Sequence, residues 1–310
     1  MARYARLTNT SDKTCYHIMS RTALSGFPFE DLEKDEFVRI VKRFSSVYFV
    51  EVFGFCIMGN HIHLVVQMLP GDCFSDEDIK RRFISFYGKE VFYDESKMLP
   101  YLRKKWSNIS TYMQEIKQTF SRYFNKRHNR RGTLWGERFK SVIVEKGETL
   151  VNCLSYVDLN PVRAGIVDRP EKYRWNTLGY LSQTDNKDDF LSFDLGIKEF
   201  GEKNKSERIR RYREYVYEAG AIDHPEKPYA KVIDEKTIKK ERAKNFEITR
   251  YDRFRNRTRY FTDSGVIGTK KFVSEHYFRF KDIFQCKHEK IPKPVKGIEG
   301  MFSLKRLSEG

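Results

Sequence analysis

No run of about 18 consecutive apolar residues occurs in this 310-residue sequence, so no membrane-spanning helix is expected. The opening segment, MARYARLTNTSDKT, lacks the apolar core of a secretory signal, which sets an expectation of a cytoplasmic protein. Cysteine is scarce. The five residues (Cys15, Cys56, Cys73, Cys153, Cys286) are odd in number, scattered and without a CxxC pair. That pattern excludes a disulfide framework or a zinc ribbon. Cys56 and Cys153 sit among apolar neighbours and read as small core residues. No internal repeat is visible. Acidic charge is also in deficit: 43 Asp and Glu face 59 Lys and Arg, a net charge of +16. An excess of this size favours polyanions, nucleic acid before an acidic membrane surface.

The deficit is local. Between residues 101 and 140 stand eleven basic residues and only two acids, Glu115 and Glu137. A solvated helix face ordinarily mixes signs, so this segment reads as a phosphate-binding surface.

Hydrophobic periodicity supplies the fold class. TCYHIMSRT (14–22) alternates and is β-prone, and Phe37, Ile40, Val41 and Phe44 recur at helical spacing within 31–47. YFVEVFGFCIM (48–58) is rich in β-branched and aromatic residues. Gly59–Asn60 gives a turn, and 61–68 returns as the second strand of a hairpin. Residues 70–105 read as a partly helical insertion. Trp106, Ile109, Met113, Ile116 and Phe120 predict a helix over 106–125; a basic loop (128–136), a strand (139–145) and a second amphipathic helix (148–159) follow. The order βαββαβ predicts an α+β domain with a ferredoxin-like core, an antiparallel sheet and a tyrosine-bearing helix. The expected domains are 1–185 and a basic C-terminal region, 186–310, after the polar linker QTDNKDD (183–189). Within that region, 203–220 reads as a basic helix, VIGTKKFVSEHY as a strand leading into a helix, and 287–310 as loosely ordered.

The strand GNHIHLVVQM (59–68) carries two histidines two residues apart. Period two places His61, His63 and Val65 on one face and Ile62, Leu64 and Val66 on the other, against the helix-covered core. The imidazoles are expected side by side on an open face, a workable geometry for two ligands of one divalent cation. The bland alternative is a pair of hydrogen-bonded surface histidines. On the 148–159 helix, Leu150, Leu154 and Val157 form the buried stripe, while Tyr156 and Asn160 lie together at its edge. Tyr156 reads either as a boundary tyrosine or as a nucleophile. A phenol becomes useful against a phosphodiester when a cation polarises the phosphate. Asn160, just before Pro161, is a candidate third ligand.

The HIH strand, WGERFKS (135–141) and YVDLNPVRAGIV (156–167) together resemble the HUH single-tyrosine transposases, and more narrowly the REP-associated tyrosine transposases. The resemblance spans roughly residues 14–180. It implies that His61 and His63 bind Mg²⁺ or Mn²⁺. It implies that Tyr156 attacks single-stranded DNA to form a 5′-phosphotyrosine link, and that the substrate is a hairpin. Asn160 stands where minimal relatives carry a glutamine ligand. The resemblance implies a bacterial, nucleoid-associated setting and leaves monomer and homodimer both open. Single-strand binding calls for a basic groove with stacking aromatics. The candidates are Arg122, Arg127, Arg130, Arg131, Arg138 and Lys140, with Trp135 as the stacking residue and Arg21 as a further phosphate contact. The competing expectation is a catalytically silent or domesticated nucleic-acid-binding regulator.

Overall fold

The computed structural model describes residues 8–88, 94–196, 204–220, 232–247, 264–279, 291–294 and 302–305. The chain divides into two compact units. One comprises residues 1–180 with 186–246, and the other 181–185 with 247–310.

In the first unit, β1 (Thr14–Arg21) leads to α1 (Asp31–Ser45). A capping box closes the start of α1: the Glu30 N–H donates to Glu33 Oε2 at 3.1 Å, and the Glu30 side chain accepts from the backbone of Glu33. Phe37, Ile40, Val41 and Phe44 form its buried stripe, as their spacing predicts. β2 (Val50–Ile57) and β3 (His61–Met68) form the hairpin. α2 (Asp76–Tyr87) and α3 (Glu95–Trp106) occupy the expected partly helical insertion. Next come α4 (Ile109–Arg127), β4 (Lys140–Val144), α5 (Glu148–Asp158) and the single turn α6 (Asn160–Arg163); α7 (Thr177–Thr184) begins in this unit and runs into the 181–185 stretch counted with the other.

One boundary differs from expectation. The periodicity from Trp106 onward predicts one helix, but Trp106 ends α3 and α4 begins at Ile109. Asn108 makes the break, because its Oδ1 accepts from the N–H groups of Ser110 (2.8 Å) and Thr111 (3.2 Å). These are donors that a helix start leaves without an internal partner.

The sheet runs β2-β3-β1-β4 with every neighbouring pair antiparallel, so the histidine strand lies inside it. α1 and α4 pack together, with the rings of Phe37 and Phe120 edge to face at 5.0 Å. α5 covers the face bearing His61 and His63. Gly54 of β2 pairs with Val65 of β3 and so shares that face. A Cβ built on Gly54 would stand 2.6 Å from Leu154 Cδ2 of α5 and 2.6 Å from Thr177 Oγ1. The bare backbone is what lets α5 lie this close to the sheet.

Two more helices complete the first unit: α8 (Lys205–Gly220) and α9 (Glu235–Ala243). They fall in the stretch that the change of sequence texture assigns to a C-terminal region, yet α8 packs against α5. The Tyr212 hydroxyl donates to buried Asp158, and Tyr215 Oη donates to Asn152 Oδ1 at 2.7 Å. Buried Arg213 bridges Glu171 and Glu241 beneath them.

The second unit holds β5 (Ser264–Gly268), α10 (Lys270–Arg279), β6 (Lys293–Pro294) and β7 (Phe302–Lys305), with sheet order β5-β7-β6. The expected strand-to-helix pattern is present. Parts of 287–310, expected to be loosely ordered, are strand instead, because Phe302 packs on the Val273 and Tyr277 cluster and anchors β7 beside β5.

Candidate active site

Register, more than the HxH spacing, builds this site. Antiparallel pairing sets Arg21 opposite His61, Met19 opposite His63 and His17 opposite Val65. Residues facing each other across antiparallel strands share a face, and diagonal neighbours remain within reach of long side chains. His17 therefore reaches His63 on the diagonal. Its Nε2 lies 2.9 Å from His63 Nδ1, with the rings stacked at 5.2 Å between centroids and 19° between planes. The expected open face is not open at His63. That residue is 5% exposed, because α5 lies across it, whereas His61 at the strand's start stays partly exposed.

Each imidazole has an orienting partner. Asn60 Nδ2 donates to Gly26 O at 3.1 Å, which turns Asn60 Oδ1 toward His61 Nδ1 at 2.8 Å. A carbonyl oxygen only accepts, so His61 carries its proton on Nδ1 and its lone pair on Nε2. Burial pushes the pKa of His17 down to about 4, so it faces His63 as a neutral ring at physiological pH. When His63 donates from Nδ1, its lone pair also falls on Nε2. Histidines that hold a metal characteristically give their other ring N–H to such an acceptor. The His61 and His63 centroids are 5.2 Å apart, with planes at 82°.

Tyr156 projects from α5 onto His63 and His17. Its ring meets His63 edge-on at 5.9 Å and His17 at 6.1 Å. The helix is fixed by the apolar stripe Leu150, Leu154 and Val157, and from behind by Tyr212 on Asp158. Complete burial raises the pKa of Asp158 to about 7, against the pull of the Tyr212 hydroxyl and the Leu178 N–H. Asn160 follows one turn later. Its Nδ2 donates to the carbonyls of Tyr156 (2.9 Å) and Val157 (3.3 Å), so the amide oxygen is the atom left to act as a ligand. Among the described residues no three of His, Cys, Asp and Glu cluster as a metal site. Arg163, seven residues beyond Tyr156, sets its guanidinium carbon 5.5 Å from the centre of the Tyr156 ring.

The basic candidates divide. Arg21 and Lys140 are exposed and share the histidine face, since Lys140 pairs with Met19 and Met19 with His63. Arg122, Arg131 and Arg138 are exposed, on α4 and the loop after it. Arg127 is tied down, its Nε donating to Oε1 of buried Glu33 at 2.8 Å. Arg130 lies over the ring of Phe124. Trp135 departs from expectation. It is 9% exposed, packed against Phe29, Phe37 and Phe120, and its Nε1 donates to Lys117 O. A β-bridge with Thr22 draws the loop inward, so the indole serves the core and offers no face to a base.

His17, Asn60 and Arg163 are the residues that sequence reasoning passed over. His17 sits in plain view in the alternating YHIMSR strand, but only the β1–β3 register brings it beside His63. Arg163 lies inside the YVDLNPVRAGIV block, two helical turns from Tyr156.

No family model matches the chain, and no curated protein matches it. Among solved structures, one similar chain can be described. It is a REP-associated tyrosine transposase bound to a REP hairpin, 13% identical, with a TM-score of 0.42, covering 66% of this chain and 99% of that one. A likeness at that level transfers neither fold nor function. No described helix is long and apolar enough to cross a membrane.

Proposed function

We propose that this chain is a metal-dependent single-stranded DNA nuclease and strand transferase whose nucleophile is Tyr156, working on hairpin DNA. The observation that carries the reading is the contact of Tyr156 with His63, which lies beside His61, both of these imidazoles being engaged at Nδ1. The sheet order β2-β3-β1-β4 fits the ferredoxin-like reading of βαββαβ, in which the two interior strands carry this chemistry.

The donor set suits a divalent cation, Mn²⁺ or Mg²⁺. His61 and His63 would hold it through Nε2, with the Asn160 amide oxygen as the third protein candidate. Bound there, the ion would supply Lewis-acid polarisation of the scissile phosphate. The chain's own groups do the rest. The Tyr156 oxygen attacks phosphorus, giving up its proton as the new O–P bond forms. The P–O3′ bond breaks, and the departing oxygen takes up a proton to become a 3′-OH. The DNA 5′ end stays on the tyrosine, and attack by a second 3′-OH reverses the sequence and rejoins strands. Arg21 and Lys140 flank this face as phosphate contacts, and Arg122, Arg131 and Arg138 extend the basic surface. The hairpin preference comes from the motif resemblance.

The absence, among the described residues, of a third acidic or histidine ligand favours a second reading, a DNA-binding regulator without chemistry. One assay separates the two. With Mn²⁺ and single-stranded hairpin DNA, the wild type should give a covalent protein–DNA adduct that Tyr156→Phe abolishes. Adduct from the phenylalanine variant at wild-type yield would remove Tyr156 as nucleophile. Tight, salt-dependent binding with no adduct under any divalent metal would favour the regulator.

A further inference from the structure

Several arginines in the first unit are neutralised by carboxylates. Arg213 pairs with Glu171 and Glu241, Arg169 with Glu241, and Arg174 with Asp35. Arg163 is not. It is partly buried, and its Nη1 is shut off from solvent without a hydrogen-bond partner. No carboxylate among the described residues forms an ion pair with it. The α6 turn, entered through Pro161, fixes its backbone directly after the tyrosine helix. The guanidinium lies over the Tyr156 ring at 5.5 Å, on the helix that faces His63. Arg130 Nη1, Arg213 Nη1 and Arg174 Nε are likewise without an acceptor; Arg163 differs from them in lying over Tyr156, where a missing ligand is a natural cause of such a donor. A phosphate beside the phenol would supply that partner, since the planar fork of arginine matches its oxygens.

We propose that Arg163 is a catalytic residue that binds a non-bridging oxygen of the phosphodiester presented to Tyr156. It anchors the charge of that phosphate while the phenol oxygen attacks. The proposal deepens the strand-transferase reading and rests on it for the identity of the anion. It also accounts for an arginine left without a carboxylate: a resident counter-ion would compete with the substrate.

The test separates the phosphate site from the chemistry. Binding is measured by ligand-observed NMR in the Tyr156→Phe protein, which forms no adduct. Two probes are compared: the dinucleotide thymidylyl-thymidine, which has a single phosphodiester, and its uncharged methylphosphonate analogue. A charge-assisted hydrogen bond predicts a preference for the charged probe of roughly 10- to 100-fold. Adding Arg163→Gln should collapse that preference to within about threefold, and Arg163→Lys, which keeps the charge but loses the fork, should give an intermediate value. Melting curves show whether each variant is folded. If the glutamine variant does not fold, the lysine variant decides. An undiminished preference in either folded variant, or no preference before Arg163 is changed, overturns the proposal. Adduct formation is scored separately in the wild type. Its absence removes the strand-transferase reading, and the binding ratio alone then judges the phosphate site.

Discussion

His17 touches neither the nucleophile's oxygen nor the expected ligand atoms, yet it should govern whether His63 can serve as a ligand. Replacing it with phenylalanine keeps a ring against His63 and removes the 2.9 Å hydrogen bond to Nδ1. His63 is then free to carry its proton on Nε2, where it blocks ligation. Loss of such an orienting partner typically weakens metal binding 10- to 100-fold, about 1.4–2.7 kcal/mol. His17→Gln should recover part of the loss, since its amide oxygen can accept from Nδ1–H. Two measurements check this. Mn²⁺ titration reads the affinity, and ¹⁵N-detected NMR of the imidazoles reads the tautomer of His63 without metal. The wild type should show His63 protonated on Nδ1, and His17→Phe should show a mixture. Because His17 is buried, overpacking could reduce stability by about 1–3 kcal/mol, so the titration is run well below the melting temperature. The reasoning fails if His17→Phe binds Mn²⁺ within threefold of wild type while the His63 tautomer is unchanged.

Two further outcomes follow from groups outside the candidate cation site. Asp158 has its folded pKa raised to about 7 by burial, from an ordinary value of 3.8. A raised pKa stabilises the fold fully below the lower value, and that contribution is lost as pH climbs through the upper one. Wild-type stability should therefore fall between about pH 4 and 7, while Asp158→Asn, which mimics the protonated acid, should remove a slope worth up to a few kcal/mol. Denaturant midpoints across pH 5–8 check this, and parallel slopes for the two proteins would refute it. Trp135→Ala should destabilise by about 3–5 kcal/mol as a core truncation, with single-strand affinity per folded molecule nearly unchanged. A large affinity loss in a protein of normal stability would restore its expected role at the surface.

Periodicity made the architecture legible. The alternating strands, the amphipathic stripes of α1 and α5 and the Gly59–Asn60 turn are local signals, and they placed the elements within a few residues. The junction at Asn108 was missed because a cap depends on one side chain's rotamer, which hydrophobic spacing does not register. Trp135 was misread for a related reason. Its neighbours in sequence are basic and glycine-rich, whereas its neighbours in space are Phe29, Phe37 and Phe120, supplied by other elements. His61, His63 and Tyr156 stood out by residue type and spacing. His17 did not, because its relation to His63 exists only once β1 and β3 are in register. Nor does the texture of the sequence show that α8 braces α5, since the Tyr212–Asp158 bond spans 54 residues of chain.

Gly54 has no functional group, yet it acts as the spacer of the site. Leu154 of α5 occupies the place a side chain there would need, two residues before Tyr156. Even a methyl group at position 54 would have to displace the helix or its neighbours. Tyr156 would move with the helix, while the imidazoles, fixed on β1 and β3, would stay. Inactivation through this position would therefore leave no mark on either histidine or on the tyrosine. A chain could drift into silence at residue 54 and still present every chemical group by which an active one is recognised.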